Sequence, residues 1–205
     1  SGRKFTVADM VQLQNSDLSI PARSIVPLLK DLPMGEPAAG RAAQRLLHWN
    51  FVLDRDSAEA GIYEMFQRRL IANFQAMLPA VARAIVANPP MVRMIELITA
   101  PDGRFGADPV AGRNALLVKS LGEAVAELNR RFGPDMENWT LGAYHYAKIL
   151  HHMTAALRPG LEARFDVGPL PRGGDAYTIT ATGGADNQNA GGAFKIVSDL
   201  ADWDN

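Results

Sequence analysis

One stretch of this chain, residues 57–88, carries a hydrophobic pattern that constrains the fold more than any other. It reads SAEAGIYEMFQRRLIANFQAMLPAVARAIVAN, and in it Ile62, Phe66, Leu70 and Phe74 recur every four residues. Residues four apart lie on one side of an α-helix, so this stripe predicts a long helix with one face buried over several turns. The sequence NPP ends the run, because proline interrupts helical hydrogen bonding. This stretch predicts a mainly helical fold.

Helical signals also recur on both sides of that run. Thr6 and Asp9 form a capping box for a first helix, and Ser19 is placed to cap a second, which Pro27 is expected to kink. Gly133 is placed to close a long helix. The further helical segments are predicted over residues 7–14, 19–32, 41–49, 91–98 and 111–132. The last of these places Leu117, Leu121, Val125 and Leu128 on one face.

The pattern changes near the C-terminus. Two short runs, AYTITAT (176–182) and AFKIVSDL (193–200), alternate β-branched or aromatic residues with smaller ones. The glycine- and asparagine-rich sequence GGADNQNAGG joins them. This predicts a mainly α fold with a helical region over 1–170 and a short C-terminal β-hairpin over 171–205, together forming one structural unit. The two runs are expected to pair with each other or with a neighbouring copy.

Composition excludes several classes of partner. The formal net charge is -1, from 21 basic and 22 acidic residues, so no basic stripe marks a nucleic-acid surface. No run approaches the roughly 18 apolar residues of a membrane span. With 0 cysteines, the chain has no disulfide, thiol nucleophile or cysteine metal site.

Ser1 is one candidate for catalysis. A serine with a free α-amino group can combine nucleophile and base in one residue, because that amine titrates near pH 8. Such a nucleophile needs to begin a buried strand, whereas Gly2, Arg3 and Lys4 lead directly into a helix cap. We therefore interpret Ser1 as a remnant of expression or cleavage.

Histidines at 48, 145, 151 and 152 are candidate metal ligands. His145 and His151 are six residues apart, which puts them on different faces of a helix, so they do not form the i,i+4 pair of a zinc helix. We expect these histidines to be hydrogen-bonded within helix packing.

Two further features allow a binding role. The sequence GGADNQNAGG could cradle a phosphate, but neither a following helix nor a lysine accompanies it, so a mobile turn is the better interpretation. The carboxylates of Asp199, Asp202 and Asp204 could hold a cation. Three scattered carboxylates at a chain end fall short of the ligand number that calcium needs, and we expect a solvated edge.

Four parts of the chain carry the remaining motifs: FTVADMVQLQNSDLSIPARSIVPLL, LLHWNFVLDRDSAEAGIYEMF, NWTLGAYHYAKILHHM, and LPRGGDAYTITATGG followed by AFKIVSDLADWDN. Together they resemble the penicillin amidases, a family of N-terminal nucleophile hydrolases that includes acyl-homoserine lactone acylases. The sequence FTVADMVQLQNSDLSIPARSIVPLL is similar to the family's segment of helix, "LQND" and helix, with Ser16 inserted before Asp17. LLHWNFVLDRDSAEAGIYEMF resembles a second family stretch, with Asn50 where aspartate is usual.

The resemblance extends through the C-terminal half. NWTLGAYHYAKILHHM is similar to the family's W.WG..H......HP region, with Leu141 in place of tryptophan and His152 in place of proline. The most specific match is LPRGGDAYTITATGG followed by AFKIVSDLADWDN. The family carries a Gly-Asp-x-Thr-Val strand and then an Arg-x-Val-x-Asp-Leu strand, and Lys195 stands where the arginine is common.

The resemblance implies a fold and an activity for a parent protein. Family members are made as precursors that cleave themselves into α and β chains, and the new N-terminal serine of the β chain attacks an amide through an acyl-enzyme. The family's strands belong to an αββα sheet, which the hairpin would join. The nucleophile, oxyanion-hole groups and calcium ligands lie in other segments. No catalytic, cofactor-binding or metal-binding residue is therefore assigned within 1–205, and the motif around the family's nucleophile does not occur at Ser1.

The chain is thus expected to be an inactive internal fragment of a β chain, excised or proteolysed, whose partners are the remaining α and β segments. The resemblance implies an acyl-amide substrate for the parent, a periplasmic or extracellular location, and no cofactor in this fragment. Nucleic acid and a membrane span are not expected. The alternative is an independent, non-enzymatic helical interaction module, with the hairpin as an edge for strand addition by a partner.

Overall fold

A computed structural model describes residues 4–85, 89–156, 160–192 and 194–199. Its helices, α1 to α8 in chain order, cover Val7–Gln14, Ile20–Ile25, Pro37–Leu47, Ala58–Ala76, Ala80–Ile85, Met91–Thr99, Pro109–Phe132 and Glu162–Phe165. Two strands, β1 (Tyr146–Ile149) and β2 (Val167–Pro171), pair in an antiparallel sheet. The predicted mainly α fold with a small hairpin near the C-terminus is confirmed. None of the described helices combines the length and apolar composition needed to cross a bilayer.

The first two helices begin at the predicted caps. Thr6 Oγ1 accepts a hydrogen bond from the backbone N–H of Asp9 at 3.1 Å, and Asp9 Oδ2 accepts one from the N–H of Thr6 at 2.9 Å. Ser19 Oγ accepts from the N–H of Ala22 at 3.2 Å. At Pro27 the second helix tightens into a 3-10 turn, because proline has no N–H to donate. Local side-chain chemistry therefore sets these boundaries.

The core is centred on the contact between α4 and α7, the most extensive among the described elements. The predicted α4 stripe is buried, with Ile62, Phe66 and Leu70 at 0% exposure. The predicted face of α7 is buried as well: Leu117, Leu121, Val125 and Leu128. Gly133 ends α7 with φ +83°, a backbone conformation that favours glycine, as predicted.

A close backbone approach joins α4 to the segment after α7. A Cβ atom at Gly61 would overlap the carbonyl oxygen of Trp139, so this helical position accepts only glycine without a backbone shift. The hydroxyl of Tyr144 donates to the carbonyl oxygen of Gly61 at 2.5 Å. Trp139 and Tyr144 are both 1% exposed. This contact fixes where the chain leaves the helical layer and enters β1.

The long predicted helix is interrupted. α4 ends at Ala76 and α5 begins at Ala80, directly after Pro79. The residue before a proline disfavours helical backbone, which explains a break at this point. Residues 86–88 lie outside the described part of the chain.

The predicted position of the hairpin is wrong. Residues 176–182 form turns instead of a strand, because side chains satisfy their backbone groups locally. Asp175 Oδ1 accepts from the N–H of Tyr177 at 2.8 Å, and Thr178 Oγ1 accepts from the N–H of Asp175 at 3.0 Å. These bonds close a turn that competes with a sheet ladder.

The second predicted strand is not formed by residues 194–199 either. Lys195 Nζ donates instead to the carbonyl oxygen of Gln14 at 2.7 Å, and Gln14 Nε2 donates to the carbonyl oxygen of Ile196 at 2.6 Å, which ties this segment to α1. β1, at Tyr146–Ile149, lies within the predicted helical region over 1–170. It is extended because its pairing partner, β2, follows later in the chain.

Candidate functional site, a buried polar cluster

Helix α4 carries three polar side chains on one side, and two of them are almost fully buried. Glu64 is 5% and Gln67 3% exposed. Arg68, one turn after Glu64, donates its Nε–H to Glu64 Oε1 at 2.8 Å. Burial of a charged group costs free energy unless a partner of opposite charge compensates it. The charged side chains on this side of α4 therefore need partners of opposite charge from other elements.

Asp186 is the main partner of the arginine side chains at this site. Its carboxylate accepts from Arg68 Nη1 at 2.8 Å and from Arg131 Nη2 of α7 at 2.7 Å. Burial would raise the pKa of Asp186, but the hydrogen bonds from Arg131 and Arg68 outweigh it and hold this pKa below its usual value. The two guanidinium groups lie 5.2 and 5.3 Å from the centre of the Tyr144 ring, within cation–π distance.

Backbone hydrogen bonds hold the segment around Asp186, which lies in the GGADNQNAGG sequence that predicts a mobile turn. The carbonyl oxygen of Asp186 accepts from the N–H of Tyr146 at 3.0 Å, and the N–H of Gln188 donates to the carbonyl oxygen of Tyr146 at 2.6 Å. The side chain of Asn187 bonds both backbone groups of Lys148, at 2.8 and 3.0 Å. The segment therefore lies along β1 almost as a third strand. A turn is present as predicted, with a parallel bridge between Tyr146 and Asn187.

Asp175 is the most perturbed carboxyl group of the site. Its Oδ2 accepts from Gln67 Nε2 at 2.9 Å, and Gln67 Oε1 accepts in turn from the hydroxyl of Tyr63 at 2.7 Å. Asp175 is 3% exposed. Burial, followed by the charge of Glu64, raises its pKa to about 6. We call Glu64, Gln67, Arg68, Arg131, Asp175 and Asp186 the polar cluster.

A cavity of about 290 Å³ lies between α4 and residues 175–188. Glu64, Asp175, Thr182 and Gln188 are among the residues that line it. Glu64 Oε2 and Thr182 Oγ1 are buried and have no hydrogen-bond partner among the residues that the structure describes. The cavity can bind a ligand that donates hydrogen bonds or carries a positive charge.

The Gly-Gly-Asp sequence before the turn is shaped by Asp17. A Cβ atom at Gly173 or Gly174 would crowd the Asp17 carboxylate, and Gly174 has φ +71°. Asp17 Oδ1 accepts from the hydroxyl of Thr180, and the N–H of Gly174 donates to the carbonyl oxygen of Leu53 at 2.9 Å. The two glycines therefore allow the backbone to pass close to Asp17, and this path places Asp175 in the polar cluster.

The predicted candidate histidines are not brought together. His145 is 0% exposed, and its Nδ1 lies 2.9 Å from the carbonyl oxygen of Arg172. Burial lowers the pKa of His145 to about 4, so the ring is neutral at pH 7 and Nδ1–H donates that bond. His48 Nδ1 lies 2.8 Å from the carbonyl oxygen of Gln44, whereas His151 and His152 are exposed. In the described ranges no group of three or more His, Cys, Asp or Glu side chains is placed to hold a metal ion.

Other candidates fall partly outside the described residues. Ser1, Asp202 and Asp204 lie outside them, and Asp199 is exposed at their end. Sequence reasoning missed the polar cluster. Its signal was present in EMFQRR, where Glu64, Gln67 and Arg68 share a helix side within an otherwise apolar run.

The fold and the site define a mainly α protein in which partly buried ion pairs join the segment beside the antiparallel strand pair to the helical layer. Residues 1–205, the whole chain, match the family model described as Penicillin amidase. The chain belongs to the penicillin amidase family, a family of amidohydrolases. No curated protein matches the chain in a sequence search.

Proposed function

We propose that this chain is part of an amidohydrolase that cleaves an acyl-amide bond through an N-terminal serine. The observation that carries the proposal is the match of the whole chain to the penicillin amidase family. In this chemistry the serine hydroxyl attacks the amide carbonyl, the amine leaves with a proton, and water releases the acid from the acyl-enzyme. Donors placed at the developing oxyanion supply much of the rate.

The chain's own part in this proposal is to build and hold the scaffold. The polar cluster contacts α4 and α7 from residues 175–188, which supports the proposal that residues 1–170 and 171–205 form one structural unit. β2 is exposed at all five residues, and in the described part of the chain it pairs on one side only, with β1. We propose that its free edge joins a strand contributed by the parent α and β chains.

No catalytic residue is proposed within this chain, and we expect it to be inactive alone. Family members often bind calcium, but the acidic and histidine side chains of the described residues form no group that fits such an ion. Calcium is therefore assigned no step here. A periplasmic or extracellular location for the parent is part of the same proposal.

The first test is hydrolysis of acyl amides by the 205-residue chain, with phenylacetyl and long-chain acyl anilides and an acyl-homoserine lactone as substrates. We expect no release of acid above buffer, and no change for Ser1→Ala. Robust turnover that Ser1→Ala abolishes would show that the N-terminus is catalytic and that the scaffold role is wrong.

The second test concerns the parent. The gene upstream of residue 1 should encode a serine preceded by a self-processing site and, further upstream, a signal peptide. Replacing that serine by alanine in the full-length protein should prevent both processing and amide hydrolysis. A gene without such a serine would refute the amidohydrolase proposal, whatever the isolated chain does.

A further inference from the structure

We propose that the cavity between α4 and residues 175–188 binds one small monovalent cation, either an alkali-metal ion or an ammonium group. Two residues that line the cavity carry oxygen acceptors without a partner among the described residues. Glu64 Oε2 and Thr182 Oγ1 are buried and unpartnered among the described residues, and both residues line the cavity together with Asp175. Buried polar atoms without partners are rare because each costs free energy, so such a group points to a ligand.

The charges around the cavity leave one negative charge in excess. Glu64, Asp175 and Asp186 are acidic, whereas Arg68 and Arg131 are the cations whose guanidinium groups contact Asp186. Arg68 also contacts Glu64 through Oε1, whereas Glu64 Oε2 has no hydrogen-bond partner among the described residues. The carboxylate of Asp175 receives only neutral donors, Gln67 Nε2 and the N–H of Tyr177.

Nearby groups do not cancel this excess. His145 is neutral at pH 7 because its pKa lies at about 4. The Arg172 guanidinium donates to the carbonyl oxygen of Gln188 at 2.6 Å and makes no hydrogen bond to Glu64 or Asp175, and its charge acts on Asp17. Burial first, and then the charge of Glu64, raises the pKa of Asp175 to about 6, which agrees with a second carboxylate beside the same cavity.

The chemistry of the wall selects the ligand class. An anion would face carboxylates and is excluded by repulsion. A divalent ion would exceed the single negative charge, and the described acidic and histidine side chains provide no three-ligand group for it. A monovalent cation matches both the charge and the acceptor oxygens, and the volume of about 290 Å³ also leaves room for accompanying water.

The test is thermal unfolding of the 205-residue chain in chloride salts at constant ionic strength. Potassium, sodium, ammonium and methylammonium are titrated separately, and tetramethylammonium replaces each of them in the control. Tetramethylammonium has the same charge, but it is not a small metal ion and has no N–H donor. At least one small cation should raise Tm saturably, by about 5–10 °C at a hundredfold excess over its Kd. Comparing the shifts in Tm for the two metal ions with those for the two ammonium ions shows whether the cavity prefers an alkali-metal ion or an ammonium group.

Variants link the effect to the cavity. Glu64→Gln makes the cluster neutral and should abolish the cation-dependent shift. Thr182→Val keeps the charge and the side-chain shape but removes one oxygen, so it should weaken binding about tenfold or more. Asp56→Asn removes a carboxylate whose side chain is 82% exposed, and it should keep the full shift. If Glu64→Gln fails to fold, Thr182→Val still decides the question.

Three results would overturn the proposal. An equal rise of Tm in every salt, tetramethylammonium included, would indicate general screening. Saturation by micromolar calcium without any response to monovalent ions would indicate a divalent site. No cation effect, together with an Asp175 carboxyl that titrates near pH 6 by NMR, would show that the cavity takes up a proton instead.

Discussion

The substitution Arg68→Met tests the polar cluster most directly, because it removes the cation that joins α4 to the C-terminal segment and keeps a long side chain. The Arg68 guanidinium donates to Glu64 Oε1 at 2.8 Å, to Asp186 Oδ1 at 2.8 Å and to the carbonyl oxygen of Ala185 at 2.9 Å. Without it, Glu64 retains a charge on a side chain that is only 7% exposed.

The cost follows from these contacts. Removing one partner of a buried ion pair destabilises a protein by about 3–5 kcal/mol, because the remaining charge stays buried and uncompensated. The Arg68 side chain is 26% exposed, and Asp186 keeps its bond to Arg131 at 2.7 Å. These two facts favour the lower end of the range, about 3 kcal/mol. For a chain of this size that corresponds to a fall in Tm of about 6–12 °C.

Urea unfolding followed by circular dichroism measures this loss, and Arg93→Met is the matched control. Arg93 forms an i,i+3 pair with Glu96 on α6, where the two side chains are 54% and 55% exposed. Exposed pairs contribute little, so the control should change the free energy of unfolding by less than about 0.5 kcal/mol. Hydrogen exchange adds a local readout, since the amides of Tyr146 and Gln188 should lose protection in Arg68→Met alone.

A double-mutant cycle of Arg68→Met and Glu64→Gln separates the energy of the Arg68–Glu64 ion pair from other losses of stability that Arg68→Met causes. Glu64→Gln removes the charge that Arg68→Met leaves behind, so the double variant should be more stable than the sum of the single losses by about 1 kcal/mol or more. If Arg68→Met costs no more than Arg93→Met and the cycle shows no coupling, the Arg68–Glu64 pair does not stabilise the fold.

Three further substitutions concern the helices. Gly61→Ala should cost about 2–3 kcal/mol, because its Cβ overlaps the carbonyl oxygen of Trp139. Gly122→Ala on α7 should stabilise the chain by about 0.5–1 kcal/mol, since its Cβ meets no atom within 4 Å. Equal effects of these two substitutions in urea unfolding would contradict the close approach. Thr6→Ala removes the capping box and should cost about 1 kcal/mol, with hydrogen exchange faster in α1 but unchanged in α7.

The helices could be predicted because their signals are local. Thr6 and Asp9 cap a helix through side chains three residues apart, and the stripe containing Ile62 and Phe66 needs only its own periodicity. The family resemblance also followed from the sequence, through stretches spread over most of the chain, and the family match confirms it.

The strands and the site could not be predicted because both depend on contacts between distant parts of the chain. β1 is extended because β2 and the segment around Asn187, both later in the chain, pair with it. The run AYTITAT has the composition of a strand, but the side chains of Asp175 and Thr178 bond its backbone locally. Likewise, Arg131 and Asp186 acquire their role only when α7 and the C-terminal segment meet.

The polar cluster and its neighbour His145 make opposite contributions to the acid response of the fold. The pKa of Asp175 is raised from 3.8 to about 6, so the folded protein binds a proton there before the unfolded chain does, and this contribution to stability increases as pH falls through 6. The pKa of His145 is lowered from 6.5 to about 4, so the unfolded chain binds the proton first and stability decreases as pH falls through 6.5.

The opposite pH dependences of Asp175 and His145 can be tested with single variants. The free energy of unfolding is measured with urea in tetramethylammonium chloride, so that no small cation occupies the cavity. Between pH 7 and pH 5, wild type should gain about 1 kcal/mol relative to Asp175→Asn and lose about 2 kcal/mol relative to His145→Asn. Because the two contributions largely offset each other, wild type itself should change less than either variant. If both differences stay flat with pH, the two groups titrate alike in the folded and unfolded chain, and the argument from burial is wrong.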